Sequence, residues 1–226
     1  MAGGGISADL EARLLPVLED ARRLGLLGPG APLPHLGHAL GFGTAAEAVG
    51  GAEFGRGGGA GRSCLDLGSG AGLPGLPLAL AWPASRWVLV DAGRRRVEFL
   101  LEAVVALGLG DRVEVVNGRA EELAHQVRLR GRFELVVARG FAPPAVTAEC
   151  AAGFLVVDGQ LVVSEPPGGR PERWPASGLA PLGLDPPRVI EGADASYAVL
   201  RQATGCPDRY PRRTGIPTKR PLFVTD

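Results

Sequence analysis

Apolar positions repeat with two different periods along this chain, and the change between them falls near Arg62. Before it, Leu10, Leu14, Val17, Leu18, Ala21 and Leu24 recur about every 3.6 residues, which predicts an amphipathic helix with Ser7 as N-cap and Gly28 to Gly30 as its stop. Residues 28 to 61 are rich in Gly, Ala and Pro and are expected to be poorly ordered, with a short helical stretch near Ala45 to Val49 and a connector over Gly57 to Gly61. From Arg62 onward short apolar runs alternate with helical ones. Strands are expected over Ser63–Leu67, Trp87–Asp91, Val113–Val116, Phe133–Ala138 and Gln160–Val163, with a closing pair at Arg188–Glu191 and Tyr197–Leu200. The clearest helix is Arg94–Leu107, where Val97, Leu100, Leu101, Val104 and Leu107 make one stripe and Gly108 an exit. Glu165 to Pro187, dense in Pro and Gly, reads as a loop with room for one short helix. Strands alternating with helices predict βαβ units and an α/β fold of seven strands, mostly parallel.

Composition narrows this picture without redirecting it. The 226 residues suit a single domain with short appendages, expected as an N-terminal part (1–61), a main domain (62–205) and a C-terminal tail (206–226). Lys and Arg total 24, as do Asp and Glu, so there is no global field to hold the molecule on nucleic acid or an acidic membrane. Basic character is local: Arg201, Arg209, Arg212, Arg213, Lys219 and Arg220 near the C-terminus face only Asp208 and Asp226. Three dispersed cysteines, Cys64, Cys150 and Cys206, form neither a disulfide framework nor a zinc pattern, which points to a reducing, cytoplasmic setting. No apolar run is long enough to span a membrane, and no metal-ligand spacing links His35, His38 and His125, which are expected to be structural. A monomer is expected.

The chemistry concentrates where a strand runs into glycines, Asp66-Leu67-Gly68-Ser69-Gly70-Ala71-Gly72-Leu73-Pro74-Gly75. Glycines at Gly68, Gly70 and Gly72 remove the Cβ atoms that keep a ligand off the backbone and permit a tight turn. A dinucleotide fingerprint requires G-x-G-x-x-G, whereas this loop is G-x-G-x-G with a carboxylate, Asp66, two residues ahead. That acid suits a ligand carrying an ammonium group and a positive sulfur, and it would repel a pyrophosphate. Asp91, at the end of the second strand, is placed to accept ribose hydroxyls or to start the following helix. Asn117 to Glu121, after the third strand, puts small Ala120 and acidic Glu121 where an adenine would lie. Arg139 follows the fourth strand into the same crevice, where a cation demands an anionic or polar partner. Ligands in open α/β sheets bind at these carboxyl ends.

With these residues in place, Asp66 to Ala79, Asp91 to Leu100, Gly118 to Glu122, Val137 to Gly140 and the tail Tyr210 to Leu222 resemble the bacterial 16S ribosomal RNA guanine-N7 methyltransferases, the glucose-inhibited division protein B family. The resemblance implies a class I, Rossmann-like S-adenosyl-L-methionine-dependent methyltransferase. It implies that Gly68 and Leu73 contact the donor, Asp91 holds its ribose, Ala120 and Glu121 flank its adenine, and Arg139 lines the cofactor and substrate site. The family's upstream His-x-x-Asp-Ser-Leu segment has no counterpart near His38 to Gly51, and Glu165 stands close to where the family carries a base. Guanine N7 has a lone pair and no proton, so the transfer needs no general base, only in-line approach at about 3 Å. Catalysis is therefore expected to rest on positioning, with Arg139 and Arg119 orienting the base by its O6 edge. Ribosomal RNA would be held by Arg94, Arg95, Arg96, Arg119, Arg209, Arg212, Arg213, Lys219 and Arg220. Three rival readings stand beside this one: a methyltransferase for a small molecule, which Glu165 favours, a NAD-dependent oxidoreductase, and a non-catalytic RNA-binding relative.

Overall fold

The computed structural model describes residues 6–28, 30–50, 61–192 and 195–224. All seven expected strands are present: β1 (Ser63–Leu67), β2 (Arg86–Asp91), β3 (Val113–Asn117), β4 (Phe133–Ala138), β5 (Leu155–Glu165), β6 (Arg188–Glu191) and β7 (Ser196–Arg201). They form one sheet in the order β3-β2-β1-β4-β5-β7-β6, in which β1 to β5 are parallel and β7 runs against both its neighbours. Only β5 is much longer than the apolar run that signals it. Asp158, at φ 67°, and Gly159 interrupt its apolar pattern beside a shift in its register with β4.

Both faces of the sheet are covered, so alternate residues of each central strand enter different cores. Cys64, Leu135, Val137, Val162 and Tyr197 pack on one side with α1 (Ala8–Arg23), α2 (Pro32–Gly50), α3 (Gly75–Ala81) and α4 (Arg94–Ala106). Leu65, Leu67, Val136, Ala138, Leu161 and Val163 pack on the other with α5 (Ala120–Leu123), α6 (Pro144–Ala152) and α7 (Ala176–Leu179). Two short 3₁₀ turns, Pro171–Arg173 and Ala180–Leu182, flank α7, so the expected loop holds more helix than its prolines suggest.

The N-terminal region departs from its expected form. Helix α1 has the predicted cap, the Ser7 Oγ accepting from Leu10 N–H at 3.2 Å, but it ends at Arg23 rather than at Gly28. Gly25, at φ 70°, donates to Arg22 C=O while Leu26 donates to Ala21 C=O, a Schellman closure. Low order was expected after it, yet Pro32–Gly50 is a helix of 19 residues burying Leu36, Ala39, Phe42, Ala45 and Ala46. Two of its glycines serve close packing. A Cβ on Gly41 would lie 2.0 Å from the Tyr197 hydroxyl oxygen, and one on Gly43 would lie 3.0 Å from Leu78 and Trp82. Of the expected connector, 57–60 lie outside the described residues. The C-terminal segment packs against α5 and α6 and carries a last helix, α8 (Ile216–Lys219).

Candidate active site at the switch point of the sheet

Strand order reverses between β1 and β4, and the crevice outside their carboxyl ends is where such a sheet binds ligands. The glycine loop leaves β1 there, and Arg139 leaves β4 opposite it. Gly68 and Ser69 both donate to Val90 C=O, at 2.9 and 3.0 Å, which folds the loop over the end of β2. Gly68, Gly70 and Gly72 have φ of 73°, 55° and 80°, and Phe141 packs where a Cβ on Gly68 would be, 2.6 Å from its ring. A cavity of about 620 Å³ opens beyond the loop, lined by Gly68, Gly70, Leu73, Asp91, Arg96, Arg119 and Arg139, with Leu26, Leu27 and His35 from the N-terminal region. A smaller one of about 140 Å³ adjoins it. Gly68, Asp91, Arg119 and Phe141 line both, and Ala120, Glu121, Cys150 and Thr218 complete the second.

The carboxylates are held in different ways. Asp91 accepts from Gly70 N–H at 3.0 Å with one oxygen, and from Gly93 N–H at 2.7 Å and Arg96 Nε at 2.8 Å with the other. It thus ties the loop to the start of α4 and keeps little acceptor capacity for a ribose unless the half-exposed Arg96 swings aside. Asp66 does not line the cavity. It is fully buried beneath the loop, where Oδ2 accepts from Gly75 N–H at 2.8 Å and Oδ1 has no hydrogen-bond partner. Burial pushes its carboxyl up to about 7, against the lowering effect of the Gly75 N–H. Burial also acts to raise Glu121, but the Gly215 N–H, its own N–H and Arg119 outweigh it and leave this carboxyl below its ordinary value. Glu121 is therefore ionised, accepting from Arg119 and from Gly215 N–H, each at 3.1 Å.

Arg139 differs from the other arginines of the site. Arg96 and Arg119 face Asp91 and Glu121, whereas Arg139 has no carboxylate within ion-pair distance among the described residues. Its recorded partner is His35 of α2, with Nη2 and Nδ1 2.7 Å apart. Burial pulls the guanidinium below its ordinary value, while Tyr197 and Asp66 act the other way. His35 was expected to be structural. The structure instead brings it into the cavity from 104 residues away.

The basic residues expected to bind RNA separate into two groups. Arg94, Arg95, Arg209, Arg213, Lys219 and Arg220 are exposed. Arg212 is not available in the same way: its backbone N–H, Nε and Nη2 donate to Glu149 at 2.8, 2.8 and 2.6 Å, and Glu149 is fully buried. Glu165 corrects another expectation. It lies outside the cavity lining, buried in an ion pair with Arg173 and accepting from Trp174 Nε1 at 3.2 Å. Among the described residues no three His, Cys, Asp or Glu side chains converge as a metal site, and no helix is long and apolar enough to cross a membrane.

The strand order and the glycine turn at its switch point define a class I methyltransferase fold. Solved structures agree on that fold. A candidate S-adenosyl-L-methionine-dependent methyltransferase from Methanococcus maripaludis superposes with a TM-score of 0.55 at 16% identity, over 90% of this chain and 98% of that one. MtNAS in complex with MTA and tNA superposes with 0.57 at 16% identity, over 88% and 71%. The family follows from sequence. The family model for rRNA small subunit methyltransferase G matches residues 49–165. Proteins named ribosomal RNA small subunit methyltransferase G are 38% identical over 169 residues in Rubrobacter xylanophilus and 40% identical over 168 in Deinococcus deserti, each match covering 70% of this chain. The chain belongs to the rRNA small subunit methyltransferase G family. The match spans 64% of the Rubrobacter protein's own length and 68% of the Deinococcus one's.

Proposed function

We propose that this chain methylates N7 of a guanine in small-subunit (16S) ribosomal RNA, using S-adenosyl-L-methionine, in the cytoplasm where ribosomal subunits are assembled. The residues at the switch point fit that donor. Gly68 and Gly70 leave a cradle without Cβ atoms, the Asp91 carboxylate stands at its edge, and small Ala120 beside ionised Glu121 lines the adjoining pocket suited to an adenine. Asp66 acts from beneath, holding the loop through Gly75 N–H rather than making a direct contact. When bound, the donor supplies an electrophilic methyl group on a sulfonium.

The observation that carries the reading is the half-buried guanidinium of Arg139, with no carboxylate within ion-pair distance among the described residues, lining the same cavity as the glycine loop. A permanent cation left in this state is matched by a planar ligand edge rich in acceptors. Guanine O6 offers such an edge beside N7. N7 already bears its lone pair, so the protein has no proton to remove. Its work is to orient the base and exclude water. Arg119, half-exposed at the rim of both pockets, would steady the base or its phosphate.

Labelled donor, purified chain and ribosomal RNA from a strain lacking the gene provide the test. Label recovered as 7-methylguanosine is the expected result. Labelled nucleoside of another kind would move the acceptor atom. Unlabelled RNA, with label passing to small molecules in an extract, would replace the proposal by the small-molecule reading.

A further inference from the structure

We propose that His35 is a positioning residue that holds the Arg139 guanidinium in its working orientation; the inference rests on the reading of Arg139 as the group that orients the acceptor base. An arginine side chain carries donors only and keeps its proton. At 2.7 Å from Nη2, Nδ1 of His35 must therefore present its lone pair, which assigns the ring as neutral with its proton on Nε2. A neutral partner has a consequence that an acid would not. Arg96, Arg119, Arg173 and Arg212 each face a carboxylate that neutralises them in place. His35 occupies one N–H of Arg139 and leaves the charge and the other donors directed to the ligand.

The holder is itself rigid. His35 lies near the start of α2, one residue before buried Leu36, and Tyr197 of β7 donates to His38 C=O at 2.8 Å one turn further on. The helix backbone that carries the imidazole is thus tied to the sheet, while Arg139 extends from the residue that follows β4, just before Gly140 at φ 61°. A long side chain without such a holder would sample many rotamers, and the productive one would be populated only part of the time. By this inference the N-terminal helices complete the catalytic site.

The test uses the full chain and the variants H35A and H35N, the latter keeping a side-chain acceptor. Expected for H35A is a fall in kcat of about tenfold or more, with the melting temperature unchanged and the calorimetric Kd for S-adenosylhomocysteine within about threefold of wild type, and partial recovery of kcat in H35N. Imidazole nitrogen NMR should show Nδ1 of His35 unprotonated and accepting, with that signal shifted in R139A. An H35A enzyme with kcat within about twofold of wild type would overturn the proposal. So would equal loss of kcat and of S-adenosylhomocysteine affinity in H35A and H35N, which marks a structural role. A wild type that binds S-adenosylhomocysteine but methylates no RNA would sink the parent reading instead. The nitrogen spectrum then still decides the pairing: a shift in R139A supports it, and an unchanged spectrum overturns it.

Discussion

Gly68 shows how a single missing carbon shapes this protein. At φ 73° a side chain is strained, and its Cβ would meet Phe141 at 2.6 Å. Gly68→Ala should destabilise the fold by about 1–3 kcal/mol in denaturant titrations and abolish donor binding in calorimetry. Gly70→Ala, with nothing nearer than 3.8 Å, should cost only the strain of its φ, and equal losses in both variants would contradict the steric account. Asp66 predicts a pH effect. Its folded-state pKa is raised to about 7, chiefly by burial, so the folded protein keeps a proton that the unfolded chain releases near 4. The contribution to stability is therefore full below about pH 4 and is lost as the pH rises through about 7. Asp66→Asn should melt close to wild type at pH 4.5 and higher at pH 8.5, by about 2–4 kcal/mol of stability, since an amide oxygen can still accept from Gly75 N–H. Parallel curves for the two proteins would refute this. Arg139→Ala should lower kcat for methylation by about 100-fold, with Lys restoring little because it lacks the planar fork. Near-normal turnover would remove the role given to Arg139.

At the scale of elements, α2 and the C-terminal segment explain most of what sequence patterns missed. Helix α2 contains prolines and glycines that ordinarily mark loops, yet Leu36, Ala39, Phe42 and Ala46 keep a helical period. Gly41 is there because the Tyr197 ring occupies the space of its side chain, a fact about a strand more than 150 residues away. The basic tail is likewise a docked element. Arg212 clamps Glu149 on α6, Gly215 N–H reaches Glu121 on α5, and Arg130 donates to Tyr210 C=O and Cys206 C=O, both at 2.9 Å. This brings Thr218 to the edge of the smaller pocket. Glu149→Ala should destabilise the protein by about 3–5 kcal/mol, because a buried charge pair loses one member, and should expose the tail to limited proteolysis. A tail as protected as in wild type would show that the ion pair does not hold it.

The whole molecule has no net charge, so on the proposed reading RNA affinity would come from the exposed cations around the cavity mouth and the tail. Removing Arg213, Lys219 and Arg220 together should lower the slope of log affinity against log salt by about 2, while S-adenosylhomocysteine binding stays unchanged. A slope that did not move would place the RNA elsewhere. The sequence alone determined the strands, the glycine turn, Asp91 and Arg139, because apolar period, turn dihedrals and strand-end chemistry are written in neighbouring residues. Only the tertiary structure decided that His35 meets Arg139, that Arg212 serves Glu149 and that Glu165 is a paired core residue. The first two are contacts set by how the fold brings distant segments within 3 Å of one another, while Glu165 meets Arg173 eight residues on only because the chain turns back after β5, and residues that meet only in the folded chain leave no pattern along it.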